Sequence, residues 1–256
     1  MKFSLHSYVN RLVLLLTISF VLIQFLLLYF DTNADMLIGN LGLPSSLRNW
    51  SHQPWTIFTH FFIHLNMGHL LLNLAILYAL GHWVEEQKGG YFFLKVLLLG
   101  ALAGVVCYAI SGQWNGTTDR FLIGSSAGAM SVMGALLALQ PKRKVNFFGV
   151  LIIDITWLVV FIVLIDLIGI RQGWNIGGHL AHWGGLLVGF LAGKWGKEKK
   201  ENRHLYQHRR PKSDDQFNEE RLEKERKLNA ILDKINRSGF DSLSKSEKDF
   251  LNQQSR

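Results

Sequence analysis

Gly124-Ser125-Ser126-Ala127-Gly128 heads an apolar stretch rich in small residues, and His182 opens a second one. A serine hydroxyl is a weak nucleophile until a base takes its proton, and neutral imidazole is well suited to that task. His69 and Asn73 stand four apart, on one face of a helix. Both side chains offer N–H groups of the kind that stabilise an oxyanion, as does a backbone N–H at a helix N-terminus. Each residue also has a bland reading. Serine can bond a carbonyl one turn back, and histidine or asparagine can join helices by hydrogen bonds. Polar groups are costly in hydrocarbon, however, and usually have a function there. All four fall near the same ends of their apolar segments. The expectation is one water-accessible site, with Ser126 as nucleophile, His182 as base, and His69, Asn73 and the Ser126 N–H around the oxyanion.

Two rival chemistries fit less well. His60 and His64 stand four apart like a metal pair, but Phe61, Phe62 and Ile63 lie between them, so the glutamate of a His-Glu-x-x-His site is missing. Paired catalytic carboxylates must lie about 3 Å apart. Asp154 and Asp166, read as sharing one helix, would be separated by about 18 Å. Asp154 reads instead as a polar anchor at the membrane's inner edge. Metal catalysis is therefore not the expected chemistry. Asp166 is the nearest carboxylate to the histidine, but nothing in the sequence places it there, so the expected chemistry is a dyad.

The elements that must hold these residues are membrane helices. The chain has 256 residues, 49% of them hydrophobic. Residues 1–196 are dominated by apolar runs and residues 197–256 by polar and charged ones. About 20 apolar residues cross a bilayer. Candidate spans are Leu12–Tyr29, Leu70–Val84, Phe92–Ile110, Ala127–Leu139, Phe147–Ile170 and Ala181–Trp195, the short ones extended by a turn into their flanks. The first run is too long for a signal-peptide core and no cleavage site follows it. The lone cysteine, Cys107, falls inside a span and reads as a small core residue.

The net charge of +8 is not a nucleic-acid signature, because the cations gather at span ends. Lys2 and Arg11 precede the first span. Lys142, Arg143 and Lys144 follow the fourth, and Lys194, Lys197, Lys199, Lys200 and Arg203 follow the sixth. The loops after the odd-numbered spans hold few cations. The positive-inside rule then puts both termini in the cytoplasm, with the four site residues facing the opposite side.

The fourth span holds Ala127, Gly128, Ala129, Ser131, Gly134, Ala135 and Ala138, and the sixth holds Gly185, Gly189 and Gly193 at four-residue spacing. Small residues on one face let backbones approach closely. These two spans, which carry Ser126 and His182, are expected to touch. Residues 31–66 form a long outer loop with Trp50, Trp55, Pro44 and Pro54, read as partly helical and seated at the interface. In the tail, Leu222, Leu228, Ile231, Leu232 and Ile235 give an amphipathic helix over about 217–236. Gly239 can cap it. Ser244-Lys245-Ser246-Glu247 has the form of a capping box opening a last short helix.

These motifs together resemble the rhomboid family of intramembrane serine proteases, over about Trp55 to Gly193. Thr59-His60, His64, His69 and Asn73 are similar to the family's first-loop and second-helix motif. Gly81 and Glu85 are similar to its glycine and glutamate at the far end of that helix. Gly124-x-Ser126, with Gly134 eight residues on, is similar to its nucleophile motif and favours Ser126 over Ser125. Ala181-His182-x-Gly184-Gly185-x-x-x-Gly189 is similar to its sixth-helix motif. Two departures stand out: Ala127 where the family usually has glycine, and Thr56 where many relatives have arginine.

The resemblance implies an all-α polytopic membrane protein, a six-span bundle over 1–196, with a small cytoplasmic helical tail over 197–256. It implies an endopeptidase in the bacterial inner membrane that cuts single-span membrane proteins in or near the bilayer by a Ser126–His182 dyad, with no metal and no cofactor. The alternative is an inactive relative that binds membrane clients. The lipid bilayer is a partner in either case. The tail resembles an extension on some bacterial members and is expected to contact a cytoplasmic partner, not the site.

Overall fold

The computed structural model of the protein describes residues 6–30, 33–115, 121–147, 151–196 and 214–254. It divides into two compact units, Met1–Lys197 and Glu198–Arg256. The first is an all-α polytopic membrane bundle built on six principal helices. These are α1 (Tyr8–Tyr29), α5 (Met67–Lys88), α6 (Gly90–Asn115), α7 (Ser126–Leu139), α8 (Ile155–Gln172) and α9 (Ile176–Trp195). Between α1 and α5 lie the short helices α2 (Ala34–Leu41), α3 (Leu47–Trp50) and α4 (Thr56–Thr59). Four stretches among the described residues are long and apolar enough to cross a membrane: Tyr8–Tyr29, Met67–Lys88, Gly90–Gly112 and Ile155–Gln172.

The bundle is arranged around α7. It packs against α5, α6, α8 and α9, and nearly all of it is buried. Its small residues make this possible. A Cβ on Gly185 would overlap the Ala127 carbonyl, one on Gly189 the Ser131 carbonyl, and one on Gly193 would come within 2.6 Å of the Ala135 carbonyl. Gly134 answers from the other side, against the backbone of Leu186 and Phe190. The glycine stripe of α9 therefore seats on the α7 backbone, as its spacing leads one to expect. Leu14, Ile18, Val21 and Phe25 on α1, and Phe161, Leu164 and Ile168 on α8, are exposed. In hydrocarbon such a face loses nothing, while each helix keeps its backbone hydrogen bonds internal.

At the other end of α5, Glu85 ties down the start of α1. Its carboxylate accepts from Ser7 Oγ at 2.6 Å and from the Tyr8 N–H at 2.7 Å. The Tyr8 N–H is an orphan donor of a helix N-terminus, which favours an anion. A Cβ on Gly81 would meet Val9 and Phe93, so the glycine lets α1 lie close.

One boundary differs from the sequence reading. The fifth span starts at Ile155, not Phe147, because β3 (Lys144–Phe147) and β4 (Leu151–Asp154) pair as an antiparallel hairpin, with Lys144 opposite Asp154. Val145, buried between Lys144 and Asn146, and the β-branched Ile152 and Ile153 suit paired strands. Apolarity alone could not separate it from the span. Asp154 is thus the residue before α8 rather than one inside it. The last helix begins at Ile176, so His182 lies in its second turn. Gly177 and Gly178 lower the apolar signal there but fit against Tyr108 and Asn175.

The segment between α1 and α5 is partly helical and held by side-chain bonds to backbone. Trp55 Nε1 donates to the Asn40 carbonyl at 2.7 Å, Trp50 Nε1 to that of Pro44 at 2.9 Å, and Thr59 Oγ1 to that of Leu41 at 2.7 Å. Thr56 is fully buried, and its hydroxyl donates to the Gln53 carbonyl at 2.7 Å.

In the second unit, α10 (Asp214–Ser238) ends at Gly239, whose φ of 78° suits glycine, and α11 (Lys245–Gln254) follows. Glu247 accepts from the Ser244 N–H at 2.7 Å, and its own N–H donates to Ser244 Oγ at 3.3 Å. That reciprocal pair is a capping box. Lys234 Nζ reaches Glu247 at 2.9 Å and, with the Ser244 bonds, holds its carboxyl down at about 2.

Candidate active site

Ser126 is the first residue of α7, and the segment before it is fixed by the outer loop. Strands β1 (Leu43–Pro44) and β2 (Phe121–Leu122) pair antiparallel, with Leu43 opposite Leu122. The Gly124 N–H then donates to the His60 carbonyl at 2.8 Å. Gly124 has φ of 103°, and a Cβ there would lie 2.6 Å from His69 Cε1. Only glycine satisfies both the backbone angle and the space. This turn brings the α7 N-terminus against the start of α5.

His182 Nε2 lies 2.9 Å from Ser126 Oγ. Ser125 faces elsewhere: it is fully buried, with its hydroxyl 3.4 Å from His64 Nε2. Of the two serines, the structure brings Ser126 to His182. Ala127 continues the helix with its carbonyl against Gly185.

His182 also has a carboxylate at its back. Asp166 Oδ1 is 3.0 Å from His182 Nδ1 and 2.6 Å from His179 Nδ1. The expectation that no carboxylate stands ready to orient His182 is therefore corrected. The cause is the turn from α8 to α9. Gly173, with φ of 75°, ends α8, and Asn175, with φ of 41°, precedes α9. The chain reverses so tightly that Asp166 on α8 faces the second turn of α9. Asp166, His179 and His182 also form a group whose donor atoms all lie within 4.8 Å of one another, close enough to share a metal ion. Their nitrogen–oxygen separations are those of N–H···O hydrogen bonds.

On α5, His69 stands against Gly124 and Asn73 against His64, one turn further on. Asn66 caps the helix, accepting from the His69 N–H at 2.7 Å. The His69 ring stands edge-on to His64, centroids 5.0 Å apart, and against Gly124. Asn73 is buried, and its Nδ2 lies 3.1 Å from His64 Nε2. The Ser125 N–H also points at that nitrogen, at 3.4 Å. Burial, aided by the nearby His69, pushes the His64 ring down to about 4. It is neutral at neutral pH and accepts at Nε2.

Sequence reasoning gave no role to three residues that the structure puts here. In the sequence His64 reads as half of a metal pair and as part of the rhomboid motif, with no role in the serine chemistry, while Asp166 is set aside and His179 draws no notice. The available signals were a carboxylate inside an apolar span, which needs a partner, and a histidine three residues before His182, on the same helical face.

The family model for the rhomboid domain matches residues 51–197, more than half the chain. The chain belongs to the rhomboid family. A second model, of a family of unknown function (DUF6576), matches residues 212–256. RHOMBOID-like protein 12, mitochondrial, of Arabidopsis thaliana is 28% identical over 183 residues, covering 66% of this chain and 53% of that protein. Rhomboid protease GluP of Bacillus subtilis is 23% identical over 164 residues, covering 63% and 30%. Rhomboid protease GlpG of Salmonella newport is 35% identical over 65 residues, covering 25% and 24%. The chain spans about half the length, or less, of these relatives.

Proposed function

We propose that this protein is an intramembrane serine endopeptidase that cuts single-span membrane proteins in or near the segment leaving the bilayer. The observation that carries this reading is the 2.9 Å approach of His182 Nε2 to Ser126 Oγ, at the start of a helix buried in the bundle. All six principal helices cross the membrane in this reading. The 14 residues of α7 reach about 21 Å, less than the roughly 30 Å of hydrocarbon. Ser126 can thus sit below the membrane surface with water above it. In this reading both termini, and the tail with any partner it binds, lie on the cytoplasmic side of a bacterial inner membrane; the cations gathered at the ends of the even-numbered spans support that orientation.

In the reaction, Ser126 Oγ attacks the scissile carbonyl carbon while its proton passes to His182 Nε2. The carbonyl oxygen becomes an oxyanion, met by the Ser126 N–H, His69 and the Asn73 N–H not engaged with His64. The imidazolium of His182 then gives its proton to the leaving amine, and the C–N bond breaks. Water attacks the acyl-enzyme, losing a proton to His182, which returns it to Ser126 Oγ.

The test is incubation of purified protein in liposomes with a panel of single-span substrates, using Ser126→Ala as control. Cleavage by the wild type alone supports the reading. Binding without cleavage by either protein would point instead to an inactive, client-binding scaffold.

A further inference from the structure

We infer that Asp166 is a positioning residue for His182, fixing which ring nitrogen carries the proton, and that His179 holds Asp166 in place for that task. The inference rests on the proposed roles of Ser126 and His182.

Asp166 is 2% exposed. Among the described residues, its ion-pair partners are His179 and His182, and both meet the same oxygen, Oδ1. Oδ2 is buried and has no hydrogen-bond partner among them. For both contacts to be hydrogen bonds, both rings must carry their proton at Nδ1, since a carboxylate only accepts. His182 then has its lone pair at Nε2, 2.9 Å from Ser126 Oγ. That is the tautomer able to take the serine's proton. The other tautomer would put an N–H against the hydroxyl and leave Nδ1 facing a carboxylate with no proton between them.

The carboxylate also acts unequally along the reaction. In the resting site it is a buried anion held by N–H groups. When His182 becomes imidazolium, the same oxygen faces a full positive charge. An interaction stronger in the transition state than in the ground state accelerates the step.

His179 is accommodated, not incidental. A Cβ on Gly169 would overlap its ring, so the glycine one turn after Asp166 makes the space it fills. From there its Nδ1 reaches Oδ1 at 2.6 Å. Among the described residues, His69 from α5 is a further titratable ring near His182, and on the α6 side of α9 Cys107 lies against Gly184 and Tyr108 against Gly177. Among these groups, the Asp166 carboxylate is the anion at its back.

A plain helix-joining role for Asp166 gives different results. Asp166→Asn keeps the size and removes the charge, and its amide N–H can satisfy a bare Nδ1, releasing His182 to the other tautomer. In a known serine–histidine–aspartate site, such a change costs about 10⁴ in kcat. Here Asp166→Asn should lower kcat by about 10²–10⁴ with KM within a few-fold and the unfolding midpoint unchanged. His179→Gln should lower kcat on the order of tenfold, the effect of losing one hydrogen bond to a charge.

Histidine 15N spectra of detergent-solubilised protein, assigned with His182→Gln, provide a readout that needs no substrate. Wild-type His182 should be protonated at Nδ1 only, and in Asp166→Asn the Nε2-protonated form should appear. A tautomer unchanged in Asp166→Asn, or a kcat within a few-fold of wild type, would overturn the inference. Loss of the protease reading is separate: it would show as a wild type that cuts no substrate, or as a Ser126→Ala variant that cuts as well.

Discussion

Gly185 on α9 lies against the carbonyl of Ala127 on α7, so closely that any side chain at 185 would overlap it. Ala127 is the residue after Ser126, and Gly185 is three after His182. This seat sets how far apart the nucleophile and base are held. Gly189 against Ser131 and Gly193 against Ala135 extend it down the helix pair.

Replacing a seat glycine should therefore separate the pair. Gly189→Val meets backbone, which cannot rotate away. Overpacking of this kind costs about 1–3 kcal/mol. The unfolding midpoint in detergent should fall and cleavage should drop sharply. Leu187→Ala, at an exposed position on the same helix, should leave both near wild type. Equal effects from the two would mean that the glycine seat does not set the site.

His69 and Asn73 are proposed to bond an oxyanion that exists only after attack. Losing one such donor costs about 10²–10³ in kcat. His69→Ala and Asn73→Ala should each show that loss with KM little changed. A rise in KM at constant kcat would make them substrate-binding groups instead.

Burial holds the His64 ring near 4, against an ordinary 6.5. Between those values the unfolded chain binds a proton that the folded protein does not. Stability should thus be full above about 6.5 and decline as pH falls toward 4, by on the order of 3 kcal/mol for this group. Burial lowers His60 as well, adding the same sign. Unfolding midpoints measured from pH 4 to 7 should fall with acid, and His64→Gln should flatten the curve. An equally steep curve in His64→Gln would assign the acid sensitivity elsewhere.

The bundle was readable in the sequence because its rules are local. The α9 glycines recur every four residues, so the face that packs on α7 follows from helical periodicity. The Ser244–Glu247 cap is likewise a four-residue pattern. What escaped depends on the path of the chain between elements. Asp166 and His182 are sixteen residues apart, and their meeting is decided by a three-residue turn with left-handed backbone at Gly173 and Asn175. The 144–154 hairpin escaped because Val145, Ile152 and Ile153 are as apolar as the helix that follows. His64 was visible as a residue, but its contact with Asn73 depends on how the outer loop folds back.

The proposed topology puts the tail on the cytoplasmic side, away from Ser126. Truncation after about Lys200 should leave cleavage of a model substrate within a few-fold of full length in liposomes. Loss of activity in a truncated protein that still folds and inserts would tie the tail to the site.

The proposed chemistry turns on His182 activating Ser126 and not its neighbour. Treatment of the full-length protein with a fluorophosphonate, followed by peptide mass spectrometry, reads this directly. A single adduct on Ser126, insensitive to chelator and absent in His182→Ala, is the predicted result. An adduct on Ser125, or substrate cleavage that persists in Ser126→Ala, would contradict the account.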